Sequence, residues 1–179
     1  EVTIDGNYLK VKDQKVRVIS GGQPGTIPWD IYDADIVIDA TGRFLKKEDL
    51  ALHLKSGAKK VFTTRNPEET IDRYVIPGIN DSSIKLSDKI ISTTSSTTQV
   101  LALMVKMLDE CFGLERAMMT TVHAYTADQP LADAAGIDLR RSRSAVENII
   151  PNSTLAPSIV EEIMPKFKGQ LDGIAFNVP

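Results

Sequence analysis

The chain has 179 residues, of which 42% are hydrophobic and 25% charged, a balance typical of one globular domain or two small ones. The formal net charge of -3 and the lack of a long basic run argue against partners such as nucleic acid or a membrane surface. No apolar run reaches membrane-spanning length, and no signal-peptide pattern is present. The single cysteine excludes an internal disulfide, so we expect a cytoplasmic protein.

The first part of the chain predicts three short strands followed by a loop. Residues 2–4, 8–11 and 15–19 alternate apolar and polar side chains, and Asp5-Gly6-Asn7 between the first two is typical of a tight turn. Residues 21–28 are rich in Gly and Pro and predict a loop. We interpret Trp29, directly after this loop, as a core aromatic residue.

A strand–helix–strand unit follows. Residues 35–42 read as a buried strand, Lys46–Ser56 as a helix that Gly57 ends, and Lys60–Thr64 as the next strand. Such a unit predicts a parallel sheet, and ligands bind such sheets at the carboxyl ends of the strands. His53, within the helix, has no partner at a useful spacing, and we interpret it as structural.

The stretch 91–111 joins a short apolar run to a cluster of hydroxyls and then to a helix. Ser96-Thr97-Thr98-Gln99 fits a capping box, in which the Ser96 hydroxyl accepts the Gln99 N–H. The junction gathers unpaired N–H groups and the positive end of a helix dipole, so it can hold an anion or stabilise an oxyanion. Apolar residues at three- and four-residue spacing predict one apolar helix face, formed by Val100, Leu103, Met104, Met107, Leu108 and Cys111. We interpret the cysteine as a small core residue.

The last part predicts a strand, an irregular loop, a helix and a final strand. Residues 117–126 are rich in β-branched and aromatic side chains, whereas residues 128–144 are polar and irregular. Leu155–Phe167 predicts a helix with a proline in its first turn, and Gly173–Val178 predicts the last strand.

Two motifs resemble the core of phosphorylating glyceraldehyde-3-phosphate dehydrogenase. The first is Ser-Ser-Thr-Thr-Gln at 95–99, followed by a helix, and the second is Thr-Thr-Val-His-Ala-Tyr-Thr-Ala-Asp-Gln at 120–129. The family carries Ser-Cys-Thr-Thr-Asn and His-x-Tyr-Thr at these places. Ser96 therefore stands where the family has its nucleophilic cysteine, and His123 stands where it has its base.

The resemblance implies an α/β fold of two parts. Residues 1–95 would be the C-terminal part of a Rossmann-type NAD-binding domain, and residues 96–179 the first part of an α+β catalytic domain. The chain covers roughly half of the family pattern, so we expect a segment of a longer protein. NAD or NADP as cofactor, an aldehyde and inorganic phosphate as small-molecule partners, and a homo-oligomer, a tetramer in the family, are implied in the same way.

The resemblance also assigns site residues, and no metal ion is expected among them. The catalytic pair would be Ser96 and His123. The residues implied at the cofactor cleft are Thr41, Gly42, Phe44 and Thr64. The residues implied at or near the substrate and phosphate sites are Ser95, Thr97, Thr126, Asp128, Arg141 and Thr154.

Several positions depart from the family pattern. Leu155 replaces a glycine whose N–H approaches phosphate, and Asn177 replaces a phosphate-binding arginine. Thr64-Arg65-Asn66-Pro67 replaces Ser-Ala-Pro after the second strand of the parallel unit, so the cofactor would be held differently. These departures favour a remodelled site, for a substrate without the usual phosphate or for none.

Three interpretations of Ser96 stay open: an engineered replacement of cysteine, a natural loss of catalysis, or a helix cap worth about 1 kcal/mol. The leading functional hypothesis is an NAD(P)-dependent, phosphorylating aldehyde dehydrogenase that is inactive with serine at this position. The alternative is a catalytically dead relative that serves as a binding or interaction protein. A serine hydrolase built on Ser96 and His123 is disfavoured, because the Gly-x-Ser-x-Gly elbow and a third, acidic residue are missing.

Overall fold

The computed structural model describes residues 2–127 and 129–179, which form a mixed α/β fold with three sheets. The strands are β1 (Val2–Asp5), β2 (Tyr8–Val11), β3 (Gln14–Arg17), β4 (Ile36–Asp39), β5 (Lys60–Thr63), β6 (Arg73–Tyr74), β7 (Ile90–Ser92), β8 (Ala117–Ala124), β9 (Ile150–Asn152) and β10 (Leu171–Val178). The α-helices are α1 (Lys47–Lys55), α2 (Ser96–Phe112) and α3 (Ala156–Ile163). None of the helices in the described residues is long and apolar enough to cross a membrane.

The first sheet is an antiparallel meander of β1, β2 and β3, which confirms the three predicted strands. Gly6 in the first turn has a φ of 57°, a left-handed conformation that glycine adopts without steric cost. The meander is exposed over most of its surface, including apolar side chains such as Ile4 and Val16.

The second sheet has the strand order β4-β5-β7-β6 with every pair parallel, which confirms the predicted parallel unit. α1 connects β4 to β5, and its Leu50 is fully buried against the sheet. Leu50 forms a core with Val61 of β5, Ile90 of β7 and Ile71. The carboxyl ends of β4, β5 and β7 consequently lie at one edge.

The third sheet has the order β8-β10-β9, with β8 parallel and β9 antiparallel to β10. α2 and α3 pack on each other, and α3 also packs on β10. β9 was not predicted, because Pro151 at its centre lacks a backbone N–H and marks an edge strand at best. The core between these elements consists of Ile76, Leu101, Ala102, Val105, Ala156, Val160 and Phe167.

The prediction that this apolar face of α2 is buried in the core is wrong. The helix buries Thr98, Leu101, Ala102 and Val105, on a different side. α2 is apolar around nearly its whole circumference, so periodicity alone does not select the buried side, and the small Ala102 lets α3 approach closely. The side chains predicted to be buried are exposed: Val100, Leu103, Met104, Met107, Leu108 and Cys111.

The last helix is shorter than predicted. α3 ends at Ile163, and Met164 has a non-helical backbone with φ -124° and ψ 74°. Pro165 explains this end, because a proline disfavours the helical conformation of the residue before it. Pro165–Phe167 forms a separate 3₁₀ turn, which places Phe167 in the core.

The Asp72 carboxylate, in the segment between β5 and β6, forms hydrogen bonds with backbone N–H groups at the start of β7. Its Oδ2 accepts the Lys89 N–H at 2.8 Å and the Ile90 N–H at 3.0 Å, and Lys47 Nζ lies 3.4 Å from Oδ1. Burial raises the pKa of Asp72, but the two N–H donors and the Lys47 ammonium outweigh it and hold the pKa below the ordinary value of 3.8. The stabilisation is therefore present above that value and is lost as the pH falls through the lowered pKa.

We expect Asp72→Ala to lower the free energy of unfolding by about 1 kcal/mol at neutral pH, because two strand N–H groups lose their acceptor. The difference from the unaltered protein should shrink as the pH falls below about 4, where the carboxylate becomes protonated. Urea unfolding at a series of pH values measures this, with Glu69→Ala, an exposed carboxylate before Asp72, as the control. Equal acid sensitivity of the Asp72→Ala and unaltered proteins would contradict the assignment.

Candidate active site

A strained turn connects β7 to α2. Thr94 is buried and has a φ of 64°, which is uncommon for a β-branched residue and marks backbone strain of the kind found at functional sites. Its N–H donates to Ser92 Oγ at 2.9 Å, and Gln99 Nε2 donates to the Thr93 carbonyl at 2.7 Å. The sequence did not indicate this strain, because threonine is not a residue that favours the left-handed region.

The helix cap is Ser95, one residue earlier than predicted. Ser95 has an extended backbone, with φ -88° and ψ 159°, and its Oγ accepts the Thr98 N–H at 3.2 Å. Ser96 is already the first helical residue, and its side chain is exposed. The capping box on Ser96 and Gln99, and with it the interpretation of Ser96 as a cap, is therefore wrong. The Ser96 hydroxyl stands at the positive end of the helix without a capping role.

This difference can be measured. We expect Ser95→Ala to lower the free energy of unfolding by about 1 kcal/mol, because the Thr98 N–H loses its acceptor. Ser96→Ala should change it by less than about 0.5 kcal/mol, the usual range for an exposed position. Chemical denaturation of both variants measures the two free energies of unfolding. A larger loss of stability for Ser96→Ala than for Ser95→Ala would show that Ser96 is the cap.

His123 faces the start of α2 from strand β8. Its Nε2 lies 2.9 Å from Thr121 Oγ1 and 3.4 Å from Thr97 Oγ1, so a residue of the helix and one of the strand both contact the imidazole. β10 runs parallel to β8 and places Asn177 beside His123. The imidazole is exposed.

Ser96 and His123 line the same cleft, of about 490 Å³, between α2 and β8. Thr97 and Thr121 line it as well, and none of its lining residues carries a permanent positive charge. The two predicted catalytic side chains are thus brought together, although no hydrogen bond joins them directly within the described residues. The rest of the lining is mainly apolar: Val100, Leu101, Met104, Val105, Leu108, Ala117, Met118, Met119 and Thr120.

The predicted phosphate-site residues do not all reach this cleft. Ser95 is engaged in the cap of α2, and Thr154 Oγ1 accepts the Ala156 N–H at the start of α3. The Thr126 N–H donates to Gln129 Oε1 at 3.1 Å.

Arg141 lies beside a second, polar cavity. This cavity, of about 440 Å³, is also lined by Asp138, Arg140 and residues 151–153. The prediction for Asp128 falls outside the described residues.

The predicted cofactor residues lie together at the carboxyl ends of β4 and β5. Asp39 Oδ1 accepts the Thr41 N–H at 2.9 Å and the Thr41 hydroxyl at 2.7 Å, and the Asp39 carbonyl accepts the Thr64 N–H. Gly42 has a φ of 67°, and the guanidinium of Arg65 lies against the position where a Cβ of this residue would stand. Phe44 packs against the core below this edge. Exposed hydroxyls next to a guanidinium fit the ribose and phosphate groups of a dinucleotide.

His53 is buried and bonded within the fold, which agrees with its interpretation as structural, but its partner is Trp29, which sequence spacing did not reveal. Its Nδ1 accepts the Trp29 Nε1–H at 3.1 Å, which leaves the proton of the neutral ring on Nε2. Nε2 lies 3.6 Å from Asp39 Oδ2, too far for a hydrogen bond but within range of electrostatic attraction. Trp29, His53 and Asp39 therefore link the loop before β4, helix α1 and the Thr41 turn.

Comparison with known proteins shows the family. The sequence model of the glyceraldehyde 3-phosphate dehydrogenase C-terminal domain matches residues 95–179. Aligned over all 179 residues, the sequence is 41% identical to the chromosomal glyceraldehyde-3-phosphate dehydrogenase of Cupriavidus necator. The chain belongs to the glyceraldehyde-3-phosphate dehydrogenase family. It is also 43% identical, over 180 aligned residues and the whole of this chain, to the glyceraldehyde-3-phosphate dehydrogenase of Geobacillus stearothermophilus, and it covers 53% of each of these relatives.

A chloroplastic member, glyceraldehyde-3-phosphate dehydrogenase A of Scenedesmus vacuolatus, is 43% identical over 177 residues, which are 98% of this chain and 56% of that protein. The chain thus spans about half the length of the curated relatives it matches. The division into domains at residue 96 stays a prediction.

Within this family member, the two departures on the substrate side have structural consequences. The Leu155 side chain is 57% exposed. Leu155 occupies the N-cap position of α3, and its side chain makes no capping hydrogen bond there. The Asn177 amide accepts a hydrogen bond from the Asn152 amide of the neighbouring strand β9. A neutral pair thus occupies the place beside His123 where the resemblance puts an arginine.

Proposed function

We propose that the complete protein containing this chain is a glyceraldehyde-3-phosphate dehydrogenase-like oxidoreductase, which oxidises an aldehyde of the phosphorylated sugar type with NAD(P) and phosphate. The supporting observation is that Ser96, at the first position of α2, and His123 of β8 line one cleft. α2 follows β7 in the chain, and β7 pairs with β5, whose carboxyl end lies beside Thr64.

Each residue has a defined role in this proposal. The side chain at position 96 attacks the carbonyl carbon, and the proton it loses is taken up by His123 Nε2. The oxyanion formed on the substrate is stabilised by the N-terminus of α2 and by the protonated imidazole. Thr41, Gly42 and Thr64 at the sheet edge would hold NAD(P), which would supply the hydride acceptor for this oxidation. Inorganic phosphate would then take the acyl group from position 96.

Ser96 limits this chemistry. A serine hydroxyl is far less acidic than a thiol, so the nucleophile is present in negligible amount at neutral pH. We therefore propose that the protein with Ser96 is inactive or nearly so. A cytoplasmic location and a homo-oligomeric assembly, a tetramer as in the family, belong to the same proposal.

The second candidate is a catalytically dead relative that binds a ligand or partner. It is favoured by Ser96, Leu155 and Asn177 occurring together, because a single trapping substitution would not change the two phosphate positions. The third candidate, a serine hydrolase, requires Ser96 to react with a fluorophosphonate probe, and we expect no such reaction.

Turnover separates these functions. Formation of NADH is followed for the complete protein, with and without Ser96→Cys, in the presence of NAD, phosphate and glyceraldehyde 3-phosphate or unphosphorylated glyceraldehyde. We expect turnover only with Ser96→Cys, and the preferred aldehyde reports the effect of Leu155 and Asn177. If Ser96→Cys is inactive with both aldehydes although NAD binds, the dead relative is favoured.

A further inference from the structure

The loop after β5 places an arginine at the sheet edge that holds the predicted cofactor residues. The backbone of Arg65 is held on both sides: its N–H donates to Thr63 Oγ1 at 3.3 Å, and its carbonyl accepts the Ser92 hydroxyl at 2.7 Å. Thr63 belongs to β5 and Ser92 to β7. The starting point of the Arg65 side chain is therefore fixed between two strands of the parallel sheet.

The guanidinium of Arg65 lies on the bare backbone of Gly42. A Cβ atom on Gly42 would stand 3.1 Å from Arg65 Nε and 3.2 Å from Nη2, closer than nearly all real contacts of this kind. The φ of 67° at Gly42 also disfavours any other residue. The Arg65 side chain thus reaches from the loop after β5 to the turn after β4.

The charge of Arg65 is not neutralised within the described part of the chain, where no carboxylate pairs with it. The carboxylate of Asp39, at the end of β4, is turned to Thr41 through Oδ1 and to His53 through Oδ2. Arg65 itself is exposed. A planar guanidinium with several N–H donors and no anionic partner is suited to bind phosphate through two parallel hydrogen bonds.

We propose that Arg65 binds a phosphate group of the dinucleotide at the turn formed by Thr41 and Gly42, a contact that rests on the proposed function. The strand order β4-β5-β7 shows toward which side of the sheet the Arg65 side chain extends. The side chain leans from β5 toward β4, away from the β7 end where α2 and Ser96 begin, so the anion it binds lies on the cofactor side and not on the substrate side. Arg65 would thereby replace contacts that the family makes with Ser-Ala-Pro.

Binding of NADH to the complete protein tests this proposal without turnover. Fluorescence titration at two salt concentrations is carried out with the unaltered protein, Arg65→Ala, Arg65→Lys and Arg43→Ala. Arg43 is a matched control, because it is an exposed arginine on the same turn. We expect Arg65→Ala to weaken NADH binding about tenfold or more, with a smaller dependence on salt, Arg65→Lys to lose less, and Arg43→Ala to stay within about twofold.

The outcomes are distinguishable. If the unaltered protein binds NADH and Arg65→Ala binds it equally or more tightly, Arg65 covers the cleft and the proposal is overturned, while the proposed function stands. If Arg65→Ala weakens calorimetric binding of glyceraldehyde 3-phosphate but not of NADH, the phosphate belongs to the substrate and the assignment is also overturned. Failure of the unaltered protein to bind either NADH or NADPH would refute both.

Discussion

His123→Asn, introduced into the protein that carries Ser96→Cys, is expected to lower the rate of aldehyde oxidation by about 10²–10⁴-fold. Among the described residues that line the cleft, the imidazole is the one group that can take up the proton that leaves the nucleophile. Asparagine keeps a polar side chain of similar size but cannot accept that proton. Steady-state NADH formation at saturating aldehyde measures the effect.

The control for this variant is Val122→Thr, which changes an exposed side chain on the opposite face of the same strand. It should keep the rate within about twofold. Because His123 is exposed, His123→Asn should also unfold at nearly the same denaturant concentration as its parent. A rate within threefold of the parent would show that His123 is not the base.

Gly57→Ala is expected to cause the largest loss of stability among these variants, about 3 kcal/mol or more. Gly57 ends α1 with a φ of 111°, and a Cβ there would lie 2.5 Å from the backbone nitrogen of Asp30. The strained conformation costs about 1–2 kcal/mol and the overpacking about 1–3 kcal/mol. Because the neighbouring atom is backbone, the loop that carries Trp29 has to move, and its bond to His53 is lost with it.

Gly78→Ala is the matched control for Gly57→Ala. Gly78 has a φ of 77°, but a Cβ added there meets nothing within 4 Å. It should therefore lose only the conformational part, about 1–2 kcal/mol. Chemical denaturation of the two variants gives the difference directly, and equal losses would mean that the close approach of Asp30 to Gly57 does not limit packing.

The local architecture could be predicted where a turn residue and a clear periodicity agree. The meander follows from alternation and Gly6, and the parallel unit follows from two apolar strands on either side of a helix that Gly57 ends. The prediction that the first of these strands is buried is wrong, because Ile36 and Ile38 of β4 are exposed. These signals act over a few residues and need no knowledge of distant contacts.

Features set by tertiary contacts could not be predicted. The buried side of α2 depends on where α3 packs, and a helix that is apolar over most of its circumference does not reveal it. The partners of His53 come from a loop and a strand that the sequence does not place beside α1. The cap was misplaced by one residue because Ser95 and Ser96 offer the same hydroxyl, and only the backbone decides which one is used.

The candidate site depended on the family motifs. Ser96 and His123 are carried by different elements, and no spacing rule brings a helix start and a strand end into one cleft. Arg65, in contrast, was visible in the sequence as a departure from the family pattern. Only its contact with Gly42 gives that departure a position relative to the cofactor edge.

The central claim is that position 96 and His123 form one chemical unit at the start of α2. The most direct measurement is the pH dependence of iodoacetamide alkylation at the thiol introduced by Ser96→Cys, with and without His123→Asn. We expect this thiol to ionise well below the value of about 8.5 for a free cysteine, and His123→Asn to move its apparent pKa upward by at least about one unit. Identical alkylation profiles for the two proteins would contradict the central claim.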